Sequence, residues 1–408
     1  MIWSSLAPPA LPGSSSPSIS PGTDRPACAG PWLGAAAKLE RIRAELVQSV
    51  GAPDLAALPL LIADSDDEAT LQRLAADTRV VCTTVGPYLK YGKGLLGACA
   101  GAGTHYCDLT GEVPFIRWAI DEHDARARAS GARIVPTCGF DSLPSDLGVW
   151  LVHQHLQARG HQLASAKLSV EKASGGFSGG TVASMMTMMQ EAQRDPRIVQ
   201  QLRDPYALLP DPSRDRGGDT DQLTVRWDAE LQRWTAPFLM AAVNTRVVRR
   251  TNALLGFPYG KDFRYTEVMS FPKGPGGMLT ATATGAGMLA GLALLGLGPT
   301  RELLKGRLPA PGEGPSREQR ERGRFRGRVV GQSTPDASGT RHTAQVNLEF
   351  YGDPGYSETA KLLGEAALCL CWDDLPPGGG VLTPAVCMGQ KLVDRLRACG
   401  QVWTVSDA

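Results

Sequence analysis

Apolar residues recur along this chain with two periods, and the alternation between them predicts its architecture. Leu39, Ile42, Leu46 and Val50 fall on one face of an otherwise charged segment and predict a helix over 35–50. A short apolar run at 58–63 predicts a strand, and the block Asp64-Ser65-Asp66 behind it is expected to cap a helix over 68–76. Val80 and Val81 open a further strand that stops at Gly86-Pro87, and helical spacing resumes over 95–99. Strands are predicted again at 105–109 and 133–137, on either side of an amphipathic helix over 114–129. Strands and helices alternating at this spacing predict parallel βαβ units.

A helix over 147–157 then leads to a strand over 163–173. Gly175-Gly176-Phe177-Ser178-Gly179-Gly180-Thr181 opens a helix reaching about residue 194, as a turn that either holds an anion or simply caps tight packing. Met185, Met186, Met188 and Met189 on that helix form either an adaptable apolar wall or filled core. Residues 204–237 read as a surface excursion with a short hairpin. A helix over 244–256 carries Arg246, Arg249 and Arg250, which either bind an anion or form a solvated face. No residue from 274 to 300 is charged, and 278–298 reads as a membrane span, a lipid-contacting helix or a buried core helix. Residues 301–328 hold nine Lys or Arg against four Glu, an excess of five suited to anionic head groups, or else a solvated basic loop. A half-exposed strand over 342–350, a helix over 361–371 capped by Ser357 or Thr359, a last helix over 381–397 entered through Thr383-Pro384, and a strand over 401–405 complete the pattern.

Composition narrows the classes. The chain has 42 basic and 41 acidic residues, so nothing in its charge calls for nucleic acid. Nine cysteines, an odd number with no C-x-x-C pair, fit reduced thiols in the cytosol. Cys369 and Cys371 would point to different helix faces, so no metal site is expected. Residues 1–26 contain six prolines and seven serines and predict disorder. A signal peptide is disfavoured by the missing basic n-region and by Pro8, Pro9 and Pro12.

Candidate chemistry collects past the carboxyl ends of the predicted parallel strands, where open α/β sheets bind ligands. Gly86, Pro87 and Tyr88 follow one strand, Asp108 to Glu112 the next, and Gly139, Phe140 and Asp141 a third. Tyr88 is the candidate proton donor, with Tyr91 nearby; both could equally pack the loop. Asp108 and Glu112 are candidate acid and base, although Thr110-Gly111-Glu112 is better suited to cap the following helix. Cys138 has no histidine beside it and reads as a structural thiol.

The order VGPY, YG, AC, G-x-x-Y-x-DLTGE, CGFDS-x-PSDLG resembles the saccharopine dehydrogenase-like oxidoreductases, including the bacterial trans-acting enoyl reductases. Later blocks continue the resemblance: SGGT, NTRVVRRTNALLG, YGKDFRYTEVM, GEGPSRE, GDPGYSETAKLLGEAALCL and GGVLTPA, so that it covers roughly 36–405. It implies an NADP(H)-linked enzyme, with NAD(H) the other cofactor, and places Gly86, Pro87 and Tyr88 against that cofactor. Gly139, Phe140 and Asp141 would form the floor under its ring.

One departure matters. The resemblance calls for a first strand, a G-x-x-G-F-x-G turn and a helix, whereas this chain offers only CAGPWLGAAAKLE at 28–40. Either cofactor binding is lost, or the start of the sequence replaces the true N-terminus. The expected fold is therefore α/β, an incomplete Rossmann-like parallel sheet with a second α+β domain. Its parts are a disordered or mis-started 1–34, a truncated dinucleotide-binding domain over 35–150, a substrate- or lipid-facing domain over 151–380, and a helix and strand over 381–408 packing back on the first. Two functions follow. One is an NADPH-linked reductase of an enoyl or acyl-lipid substrate in complex lipid or glycolipid synthesis, carried by a polyketide synthase; the other is a non-catalytic lipid-binding scaffold. Both are placed in the cytoplasm, peripheral to the inner face of the plasma membrane, with self-association left open.

Overall fold

The structure, a computed structural model, describes residues 2–5, 32–33, 36–50, 53–174, 179–212, 217–296 and 315–408. Its first sheet is built from β1 (Ile2–Ser5), β2 (Trp32–Leu33), β3 (Leu60–Leu61), β4 (Val80–Thr83), β5 (His105–Asp108) and β6 (Arg133–Val135). The second takes β7 (Leu163–Ser174), β8 (Arg226–Asp228), β9 (Arg233–Pro237), β10 (Arg264–Phe271), β11 (Arg324–Ser333) and β12 (Thr343–Phe350). The chain then returns to the first sheet with β13 (Gly380–Val381) and to the second with β14 (Val402–Asp407). The strand orders are β13-β6-β5-β4-β1-β2-β3 and β14-β12-β11-β7-β10-β9-β8.

The run from β3 to β6 follows the doubly wound order 3-2-1-4-5-6. Strands β4, β5, β6 and β13 are mutually parallel, and β2 is parallel to β3. The place expected to lack a strand is filled by β1, which runs antiparallel to both neighbours, with Ile2 opposite Thr83 and Leu33. The expected disorder and signal-peptide readings fall mainly on 6–31, outside the described residues.

Both faces of β4, β5 and β6 are covered, which is why short apolar runs mark them in the sequence. Val81, Tyr106 and Ile134 pack on the helices Lys93–Ala102 and Val113–Ser130. Val80, Cys82, Cys107 and Val135 belong to the opposite face, where β4 and β5 pack on the helix Thr359–Trp372; the same core continues through the helix Leu143–Gln157 to Leu168, Val329 and Leu348 of the second sheet. One core therefore joins the two sheets. Gly148 makes this contact close: a Cβ there would lie 2.7 Å from a Val329 methyl.

Several expectations need correction. The helix after Gly139 starts at Leu143, four residues early, because Pro144 fits its first turn. The helix Glu68–Ala76 is capped by Asp67, whose carboxylate accepts the Thr70 N–H at 3.1 Å, and not by the preceding Asp-Ser-Asp block. Asp353, rather than Ser357 or Thr359, takes the N–H of Tyr356 at the turn before Thr359–Trp372. The last helix is two, Pro384–Cys387 and Gly389–Ala398. The end of the basic segment is no loop: Arg324, Arg326 and Arg328 alternate outward along β11 while Phe325 and Val329 point into the core. Two of these arginines share Glu171, each at 3.2 Å. The four methionines are half-buried and so do not make a filled core. The turn at 175–178 lies outside the described residues.

The arginines of the helix Ala241–Leu254 fit neither expected reading, since all three are at most 3% exposed. Arg246 pairs with Asp221, and Arg249 with Asp219 at 2.9 Å, pinning the 204–237 excursion to the body. Arg250 has no carboxylate in contact among the described residues and instead donates to the Leu208 carbonyl at 2.8 Å and the Val381 carbonyl at 2.5 Å. It is a buried clamp between the excursion and β13.

Candidate active site at the strand ends

The ends of β4, β5 and β6 converge on one edge, and three carboxyl groups organise it. Asp108, the last residue of β5, is fully buried. One of its oxygens accepts the N–H groups of Thr110 at 2.9 Å and Thr137 at 3.1 Å, and the other accepts the Tyr106 hydroxyl at 2.8 Å. This ties the loop after β5 to the loop after β6. Thr137 sits at φ 65°, a left-handed conformation costly for a β-branched residue, so the bond from Asp108 holds a strained turn in place. Burial pushes the Asp108 carboxyl up to about 7, against the pull of those hydrogen bonds.

Glu112 closes a second lip. Its oxygens accept the N–H of Tyr88 at 2.9 Å, the N–H of Leu89 at 2.7 Å and the Ser184 hydroxyl at 2.6 Å. It stands at the start of Val113–Ser130, yet its side chain caps the short helix Tyr88–Tyr91 instead of its own. Burial raises its proton affinity. Ser184, from the helix Gly179–Arg194, was not singled out from sequence, because nothing in its spacing links it to Glu112.

Tyr88 is 2% exposed. Its hydroxyl donates to the Thr83 carbonyl at 3.2 Å and accepts the Leu109 N–H at 3.5 Å, and its ring lies 5.8 Å from that of Phe115. Burial pushes the phenol up further, with Asp108 adding to the effect. Tyr88, the expected proton donor, thus joins β4 to the loop after β5 in this structure. Tyr88→Phe is accordingly expected to cost about 1 kcal/mol of stability and to leave turnover within about threefold; a loss of two orders of magnitude in turnover would restore the donor role.

Gly86 and Pro87 are half-buried beside Ser184, whose hydroxyl would lie 3.7 Å from a Cβ on Gly86. Gly139 lets the third loop pass close to Leu109, where a Cβ would come within 3.0 Å of the Leu109 Cβ. Phe140 turns its ring into the second sheet, edge-on to Phe325 at 4.7 Å, while its N–H meets Thr359 at 3.2 Å. Its ring therefore packs against the core from a half-buried position. Asp141 is half-buried, is pushed up by burial to about 6, and has no hydrogen-bond or ionic partner among the described residues. Cys138 is buried against the Val135 carbonyl, with its thiol pushed well up by burial.

The edge gathers polar groups, but the described residues give it only part of what a dinucleotide requires. A pyrophosphate is held by the glycine turn and helix N-terminus that follow the first parallel strand. Among the described residues that position is taken by antiparallel β1, so they do not supply this cradle. Nor could any group of three or more His, Cys, Asp or Glu among them hold a metal ion.

No protein-family model matches the chain. Individual relatives do. A protein of Mycobacterium tuberculosis (strain ATCC 25618 / H37Rv) named as a trans-acting enoyl reductase is 44% identical over 357 residues, 84% of this chain and 83% of its own. The trans-acting enoyl reductase of Mycobacterium ulcerans (strain Agy99) is 39% identical over 361 residues, 84% of each. That of Mycobacterium bovis (strain BCG / Pasteur 1173P2) is 39% identical over 380 residues, 89% of this chain and 88% of its own. Among solved structures, apo saccharopine dehydrogenase (L-Glu forming) of Saccharomyces cerevisiae superposes with a TM-score of 0.42 at 13% identity, covering 93% of this chain and 99% of its own. An amine dehydrogenase from Mycobacterium smegmatis gives 0.33 at 14% identity, covering 88% and 95%. The chain belongs to the family of trans-acting enoyl reductases.

Proposed function

We propose that this protein is an oxidoreductase that reduces an enoyl chain delivered by a separate synthase, with NADP(H) as its reductant and a lipid precursor as its substrate. The observation that supports this most is the identity of 39–44% to trans-acting enoyl reductases, which runs through most of the chain. A polyketide synthase is the partner this reading expects, and the cytoplasmic side of the plasma membrane its location.

Within the edge, Asp108 holds the loops after β5 and β6 in register, and Glu112 fixes the Gly86-Pro87 turn against Ser184. Asp141 is the carboxyl without a protein partner, and it keeps a proton up to about pH 6. In this reading it meets the ligand, taking the place among the site residues that sequence alone gave to Tyr88. Asp141→Asn is expected to raise KM about tenfold, the size of one hydrogen bond to a charged group, without lowering the melting temperature. Unchanged kinetics would remove Asp141 from the site.

Titration of the purified chain with NADPH and NADH, followed by nucleotide fluorescence, tests the reading as a whole. Saturable binding of NADPH is expected. A folded chain that binds neither nucleotide would favour the second reading, a non-catalytic lipid-binding scaffold, for which the antiparallel β1 in the first-strand position is the specific support.

A further inference from the structure

The helix Pro275–Gly296 is long and apolar enough to cross a bilayer, carries no charge, and is nevertheless mostly exposed. Of the twelve large apolar side chains exposed among the described residues, six gather on this one region. Met278, Leu279, Leu289 and Leu294 lie on the helix, with Leu279 70% and Leu289 56% exposed. Leu223 and Trp227 lie on either side of Val225, whose methyl would touch a Cβ on Gly285 at 3.1 Å. A surface helix that faces water carries a polar outer face; one that is apolar on its outer face is made for another apolar phase.

The geometry points to an in-plane docking helix that seats this protein on an anionic lipid bilayer. Gly277, Ala281 and Gly285 form its buried side, packed along β9 and β10. A helix fixed to a sheet through Gly277, Ala281 and Gly285 cannot cross a membrane without carrying the sheet toward lipid, which weighs against the spanning mode, and its exposure excludes the core-helix reading. The exposed threonines are already satisfied. Thr280 donates to the Gly276 carbonyl at 2.8 Å and Thr282 to the Met278 carbonyl at 2.9 Å, so neither hydroxyl needs water.

Charge selects lipid over an uncharged apolar partner. Exposed Lys273 precedes the helix, and in the sequence after it residues 301–322, short of β11, hold six Lys or Arg against four Glu. Cations flanking an apolar helix, with a tryptophan at its side, match the head-group layer of an anionic membrane. This inference is independent of catalysis, since lipid docking does not require that the strand-end edge reduce anything.

Flotation of the full chain with vesicles of phosphatidylcholine containing phosphatidylglycerol tests it. Binding to these vesicles is expected at low salt, weakened at least about tenfold when phosphatidylglycerol is omitted. The doubly substituted chain Leu279→Asp and Leu289→Asp, altered only on the exposed face, is expected to stay in solution while melting within a few degrees of the parent. Protein that ignores anionic vesicles overturns the inference, as does binding unaffected by the two substitutions. A lipid-free dimer split by the same substitutions also overturns it, because the helix would then face a second copy.

Discussion

Asp108→Ala is expected to lower the unfolding free energy by about 3–5 kcal/mol, because it strands two buried backbone N–H groups and a buried phenol at once. Thr137 would lose the bond that holds it at a left-handed φ, and the loop carrying Gly139, Phe140 and Asp141 would lose its register with β5. Asp108→Asn keeps an oxygen for both N–H groups, so it should retain the fold. The two variants also differ in their pH dependence. Asp108, Asp146 and Glu267 are each pushed up to about 7 by burial, so the folded chain binds protons in a range where the unfolded chain has released them. The contribution of these three groups to stability is therefore full below about pH 4, falls as pH rises toward about 7, and is gone above it. Asp108→Asn removes one proton from this linkage and should flatten the slope by about 1.4 kcal/mol per pH unit. Denaturant unfolding between pH 5 and 8 measures both effects. A slope left unchanged would mean that Asp108 is already ionised in the fold over this range.

Arg250→Ala carries the second large effect. The side chain is fully buried and holds the carbonyls of Leu208 and Val381, from segments far apart in the chain. Its loss leaves both carbonyls unpaired and opens a cavity, for a cost of about 3–5 kcal/mol. Burial already works against the charge, pushing the guanidinium down to about 9. Arg250→Met keeps the stem's volume and discards that buried charge, so it should recover at least about 1 kcal/mol relative to alanine. Equal losses for the two variants would show that volume contributes nothing and that the carbonyl bonds carry the whole effect.

The difference between Asp108 and Arg250 also marks how far the sequence could be read. The parallel strands of the first sheet were legible because strands covered on both faces become short apolar runs broken by glycine, as at Val80–Thr83 and Arg133–Val135. Their ends could be located, and with them the loops at Gly86, Asp108 and Gly139. What those loops contact could not. Glu112 serves a helix that precedes it by 24 residues, and Ser184 arrives from another element altogether. The arginines of Ala241–Leu254 look solvated in sequence because arginine is normally exposed. Their burial depends on Asp219, Asp221 and backbone carbonyls that only the folded chain brings near. Strand β11 hid behind its charges: its arginines alternate with core residues, and the count of positive charge masked the period of two.

The most direct test of the account is a chemical one. The purified chain, NADPH and an enoyl thioester on a carrier domain would be incubated together and the acyl chain weighed by mass spectrometry. The account predicts that the chain gains two hydrogen atoms only when protein and NADPH are both present. An acyl chain left unchanged by folded protein that binds NADPH would contradict the assignment of enoyl reduction to this family member.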